Sequence, residues 1–180
     1  MQIAIIGAGP LGRRLALLCA QSGLQVVLED VMPSNLRHAE MELASLDCGA
    51  ENLTFAATIE AAVREADIAI DFVPDELESK LEIFSLLDRM APPRTILCTP
   101  STAMSITDLA SCTYRADHCV AVGGNALADA AAIEILRSPM TSDETVSFVA
   151  AFWAKLGKTT SVLDDPAAPV LVKNERFLRL

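Results

Sequence analysis

Ile3-Ala4-Ile5-Ile6-Gly7-Ala8-Gly9-Pro10-Leu11-Gly12 is the stretch that decides the fold. Four apolar residues run directly into a G-x-G-x-x-G spacing, and a helical stretch from Arg13 to Gln21 follows. A buried strand, a tight glycine turn and a helix start, in that order, form the element that cradles a dinucleotide pyrophosphate. Gly7 permits the sharp turn off the strand. Gly9 lets the backbone approach the phosphates because no Cβ intervenes. Gly12 lets the helix lie against the strand. The unpaired N–H groups of the helix's first turn then face the pyrophosphate, so Gly7, Ala8, Gly9, Pro10, Leu11 and Gly12 are candidate cofactor contacts.

Outward from this stretch, strands and helices alternate. Pro10 suits an early helical position, Leu15, Leu18, Cys19 and Ser22 recur at helical spacing and should face the sheet, and Gly23 closes the helix. Leu24 to Leu28 is a second strand, residues 33–45 a helix, Leu53 to Ala57 a strand, and Thr58 caps a helix from Ile59 to Glu65. Ile68 to Val73 is an apolar strand with an odd internal acid, Asp71, which must lie at an exposed end or have a partner. Glu76 to Met90 is amphipathic and Pro92-Pro93 ends it. The strand Thr95 to Cys98 leads into the hydroxyl-rich turn Thr99-Pro100-Ser101-Thr102. Ligands of doubly wound sheets sit at such strand ends. Strands at 119–122, 132–136 and 159–163, with a helix from Ser142 to Leu156, complete the pattern. The reading is an α/β Rossmann-type, doubly wound, mostly parallel sheet with helices on both faces. Later strands are candidates for antiparallel pairing, because short connections replace the crossover helix there.

The second strand ends at Glu29-Asp30. Asp30 lies 18 positions beyond Gly12, near the ~20-residue offset at which an acid binds the adenosine ribose hydroxyls. A carboxylate there repels a 2′-phosphate, so NAD is favoured over NADP. Glu29 competes for this role, since a one-residue change of register exchanges the two acids.

Bulk properties narrow the rest. A chain of 180 residues is expected to form one domain that buries ~70% of its unfolded surface. Apolar residues make up 52% and charged ones 21%, a globular composition. The net charge of −10 argues against a nucleic-acid partner. No apolar run approaches ~20 residues, so no membrane span is expected. Cys19, Cys48, Cys98, Cys112 and Cys119 form no C-x-x-C pair and mostly sit among apolar residues. They read as buried free thiols of a cytoplasmic protein, with neither a metal site nor a disulfide framework.

Several segments together resemble the NAD-binding, N-terminal domain of the 3-hydroxyacyl-CoA dehydrogenase family. They are Gly7 to Gly12, Val26 to Asp30, Asp71-Phe72-Val73-Pro74-Asp75 with Glu76-Leu77-Glu78-Ser79-Lys80, Ile96 to Leu109, and Ser142 to Gly157. The resemblance implies NAD as cofactor, with Val73, Pro74 and Asp75 on the nicotinamide side (the family usually has Glu at Asp75) and Lys80 as a cofactor-side lysine. Its active-site Ser falls on Thr102, with Pro100 where the family has Asn. Asn125 matches the Asn of a run like H-F-F-N-P. Glu134 matches the acid that orients the family's catalytic His. The His itself is missing: its position is Val122 or Gly123. Only His38 and His118 exist elsewhere; His38 reads as solvated, and His118 replaces the base only if the chain shifts by several residues.

The family continues into a helical domain that completes the acyl-CoA site and the dimer. Here residues 1–165 read as the cofactor domain and 166–180 as a tail, the start of that second domain. The expected activity is hydride transfer between NAD and a 3-hydroxyacyl-type substrate, an acyl-CoA or a smaller hydroxy or keto acid, with a role in fatty-acid metabolism. The alternative is a non-catalytic NAD(H)-binding protein or subunit. Phe177 and Leu178 in the tail suggest a covered apolar surface, and hence a homodimer.

Overall fold

The computed structural model describes residues 1–45, 49–101, 103–123 and 127–165. Thr102, Asn125, Cys48 and the tail with Phe177 and Leu178 lie outside the described residues. The elements in chain order are β1 (Gln2–Ile6), α1 (Pro10–Gln21), β2 (Gln25–Glu29), α2 (Pro33–Ala44), β3 (Leu53–Ala56), α3 (Ile59–Val63), β4 (Ile68–Asp71), α4 (Leu77–Met90), β5 (Ile96–Thr99), α5 (Ile106–Ser111), β6 (Cys119–Val122), β7 (Ala132–Arg137), α6 (Asp143–Lys155) and β8 (Thr159–Asp164).

One eight-stranded sheet has the order β3-β2-β1-β4-β5-β6-β7-β8. Strands β1 to β6 run parallel. β1, β4, β5 and β6 are buried on both faces, which is why they read as continuous apolar runs rather than alternating ones. Order reverses between β1 and β4, and a doubly wound sheet binds its ligand at that switch point. The expectation of later antiparallel strands holds at one joint only: β7 runs antiparallel to β6. β8 runs parallel to β7 because α6 supplies a crossover between them.

Alternate strand residues divide the core in two. Ile3, Ile5, Val26, Leu28, Val120 and Val122 pack under α1 and α6, against Leu15, Cys19, Phe152 and Trp153. Ala4, Ile6, Ala69, Leu97 and Ala121 pack under α3, α4 and α5, against Val63, Phe84, Leu87 and Leu109. Cys19, Cys98 and Cys119 are buried and free, and Cys112 is half-buried and free. Ser22 does not face the sheet as its spacing implied. The helix ends there, and its exposed hydroxyl donates to the Leu18 carbonyl. The fourth strand stops at Asp71, two residues short of Val73, although the Phe72 N–H still donates to the Ile6 carbonyl.

Candidate functional site at the carboxyl edge of the sheet

The turn after β1 is built from contacts that leave no room for side chains. Gly7 has φ +104°, and a Cβ there would sit 3.1 Å from the Phe72 carbonyl oxygen. A Cβ on Gly12 would lie 2.0 Å from the Gly7 carbonyl oxygen, a collision of backbone with side chain. Gly9 differs. It has an ordinary φ of −64° and, among the described residues, nothing lies within 4 Å of where its Cβ would be. Neither fold nor conformation requires glycine at 9, and the open space above it suits the close approach of a ligand. Gly9 caps α1 without any side-chain hydrogen bond, Pro10 starts the helix, and its first turn contains no acid. No side chain of the helix's own first turn offsets its positive end. The Arg13 guanidinium donates to the Ala8 carbonyl and pairs with Glu42, bracing the turn from outside.

Asp30 ties this turn to the next one. Its Oδ2 accepts the Ala8 N–H at 2.8 Å and the Asn35 amide at 2.9 Å, and its Oδ1 accepts the Met32 N–H at 2.8 Å. A carboxylate accepts about four hydrogen bonds, so room remains for one more. Glu29 meets the turn only through its backbone: its carbonyl accepts the Gly7 N–H at 2.8 Å. Strand alternation sends its side chain to the opposite face, where it is buried. Burial, with the neighbouring Asp30 charge second, pushes its carboxyl up to about 7. The geometry thus separates the two acids, and Asp30 is the one beside the glycine turn.

Strand register lines up a polar row on the α4 side. Ile6 pairs with both Glu29 and Asp71, and Thr99 follows Cys98, the partner of Ile70. Asp71 is the partnered acid of the two options its sequence left open. Its Oδ1 accepts the Lys80 ammonium at 2.5 Å, with both side chains buried. Burial raises the Asp71 carboxyl, and Lys80 opposes this most strongly. Lys80 therefore lies beneath the β4–α4 loop, while Pro74 and Asp75 are exposed on it and Val73 is half-buried. Buried polar side chains collect along this edge: the Asp71 carboxylate also takes hydrogen bonds from Thr99 and the Val73 N–H, while Glu29 Oε1 and Ser101 Oγ have no hydrogen-bond partner among the described residues. Such atoms are costly unless something satisfies them, and a ligand laid along the strand ends would do so. Sequence alone did not show this row, because it depends on the register of four strands.

At the far side of the edge, the Gly123 N–H donates to the Glu134 carbonyl at 2.7 Å. A Cβ on Gly123 would lie 3.0 Å from Glu134 Cβ and 3.1 Å from its Oε2. Val122 instead points into the core under α6, fully buried. Of the two positions open for the missing His, only 123 faces Glu134. His118 precedes β6 at the amino edge, its Nδ1 3.0 Å from Asp117, at the opposite end of the strand from Gly123. It cannot reach this site. His38 is exposed on α2, as expected.

The model of the 3-hydroxyacyl-CoA dehydrogenase NAD-binding domain matches residues 2–166. The chain belongs to the 3-hydroxyacyl-CoA dehydrogenase family. Through this domain its cofactor is NAD, and the open cradle over Gly9 and the start of α1, which has no side-chain cap and no acid in its first turn, fit a pyrophosphate there. The probable 3-hydroxybutyryl-CoA dehydrogenase of Bacillus subtilis is 30% identical, over 98% of this chain and 66% of its own length. The human mitochondrial hydroxyacyl-coenzyme A dehydrogenase is 28% identical, over 87% of this chain and 56% of its own. Among solved structures, the 3-hydroxyacyl-CoA dehydrogenase of Archaeoglobus fulgidus superposes with a TM-score of 0.83 at 28% identity, covering 93% of this chain and 57% of that one. The chain thus spans between 56% and 66% of the curated relatives it matches.

Proposed function

We propose that this chain is the cofactor half of an oxidoreductase that moves a hydride between NAD and a 3-hydroxyacyl-type substrate, an acyl-CoA or a smaller hydroxy or keto acid. The observation that carries the reading is Gly9, a glycine demanded by no contact among the described residues, at the start of a helix with no side-chain cap. When bound, NAD supplies the hydride acceptor. Backbone from Gly7 to Gly12, with Ala8, Pro10 and Leu11, holds the pyrophosphate. Asp30 takes a ribose hydroxyl with its remaining acceptor site. Val73, Pro74, Asp75 and Lys80 serve the nicotinamide side, and Thr102 and Asn125 the substrate. The dinucleotide domain is residues 1–165, and the following segment leads toward a substrate-binding part. Exposed Val162 and Leu163 on the edge strand β8 support a homodimer. Free thiols are in keeping with a cytoplasmic setting.

A second reading, a non-catalytic NAD(H)-binding subunit, is favoured by Gly123, which offers no proton acceptor where the family has its His. Absorbance at the reduced-nicotinamide band, with NAD and 3-hydroxybutyryl-CoA at high protein concentration, separates the two. Growth of the band supports the oxidoreductase. NAD binding without any turnover leaves the second reading.

A further inference from the structure

We infer that Glu134 is itself the proton acceptor for the substrate hydroxyl, a role that rests on the oxidoreductase reading. Gly123 contributes no side chain, and the carboxylate of Glu134 stands in the space where that side chain would begin: its Oε2 is 3.1 Å from the position of a Cβ on residue 123. It is a solvent-exposed residue, so its head is open to a ligand. It makes no hydrogen bond or ion pair among the described residues through that head. It lies near the start of β7, which runs antiparallel to β6, so it stands at the edge where β4 and β5 present Asp71 and Thr99. Alternation places it on the same face as that row, since Leu136, two residues on, packs with the α4 side of the core.

The other acids at this edge are committed or distant. Asp71 is held by Lys80. Glu29 is buried on the far side of β1. Asp30 already accepts three hydrogen bonds beside the glycine turn. Asp75 rides on the loop after β4, three strands from β7. Neither histidine reaches the edge. Among the described residues, Glu134 is the acid that stands against Gly123.

In the step it serves, the substrate carbinol O–H bond breaks and its electron pair forms the C=O bond. The C–H pair leaves as hydride to the oxidised nicotinamide, and the hydroxyl proton goes to Glu134.

The test is single-turnover reduction of NAD by 3-hydroxybutyryl-CoA in the full chain and in Glu134→Ala, Glu134→Gln and Glu134→Asp. NAD affinity is followed by calorimetry and folding by circular dichroism. The expected result is a fall of about a hundredfold or more in the Ala and Gln variants, the range lost with a general base. NAD affinity stays within about twofold, and added formate restores rate to the Ala variant but not to the Gln variant, whose amide fills the space. Unchanged turnover in Glu134→Ala, or a loss that formate leaves unrepaired while Glu134→Asp is equally dead, overturns the role with the oxidoreductase reading intact. No turnover in the unmodified chain, with NAD bound, overturns both.

Discussion

Lys80 Nζ stands 2.5 Å from Asp71 Oδ1, and the two side chains are 2% and 0% exposed. A charge pair in this position ties the first turn of α4 to the end of β4, directly under the loop that carries Val73, Pro74 and Asp75. Breaking such a pair from one side leaves an uncompensated buried charge and costs about 3–5 kcal/mol. Lys80→Met is therefore predicted to destabilise by that amount, and Asp71→Leu combined with Lys80→Met to recover most of it. Denaturant unfolding read from Trp153, the only tryptophan and a fully buried one, measures both. Equal losses in the single and double variants would show that the pair contributes nothing specific.

Gly9 and Gly12 separate the demands of fold from those of ligand. A Cβ on Gly12 meets the Gly7 carbonyl oxygen at 2.0 Å, so Gly12→Ala forces backbone apart and costs about 1–3 kcal/mol or more. Gly9→Ala meets nothing within 4 Å and should leave stability within about 0.5 kcal/mol, yet weaken NAD by about tenfold or more, worth ~1.4 kcal/mol. Thermal unfolding and calorimetric titration of both variants give the comparison. A Gly9→Ala protein with unaltered NAD affinity would remove the assignment of that space to the pyrophosphate.

Asp30→Ala strips acceptors from the Ala8 and Met32 N–H groups and the Asn35 amide. With donors left unsatisfied, a loss of about 1–3 kcal/mol in stability is expected, together with weaker NAD binding and reduced preference over NADP. NAD affinity unchanged in this variant would show that the ribose hydroxyls lie elsewhere.

Glu29 supplies a pH signature. Its folded carboxyl, pushed up to about 7 from an ordinary 4.5, holds its proton longer than in the unfolded chain. The native state then binds more protons between those values, so stability falls as pH rises from about 4.5 to 7 and is flat above. At ~1.4 kcal/mol per pH unit across that range, the full effect is on the order of 3–4 kcal/mol. Glu29→Gln should abolish that slope and be the more stable protein at pH about 8. Urea midpoints at several pH values for both proteins check this, and parallel curves would mean that the carboxyl is satisfied in the native state.

Much of this architecture was legible because it is local. The glycine spacing, the apolar strands and the caps at Thr58 and Ser142, whose side chains accept the Ala61 and Thr145 N–H groups, each depend on a few adjacent residues. What escaped depends on register or direction. Glu29 and Asp30 are neighbours in sequence but face opposite sides of the sheet, and only the pairing of Glu29 with Ile6 tells them apart. Asp71 looked anomalous until the sheet placed it under α4, within reach of Lys80. His118 was a conceivable base in sequence, yet the direction of β6 carries it to the wrong edge. Val122 and Gly123 were equivalent in an alignment with a gap, whereas alternation along β6 buries one and opens the other onto Glu134.

Calorimetric titration of NAD into the unmodified chain is the deciding measurement. Saturable binding of one NAD per chain is expected, with NADP about tenfold weaker or worse because Asp30 repels its extra phosphate. Absence of saturable NAD binding up to millimolar concentration would contradict it.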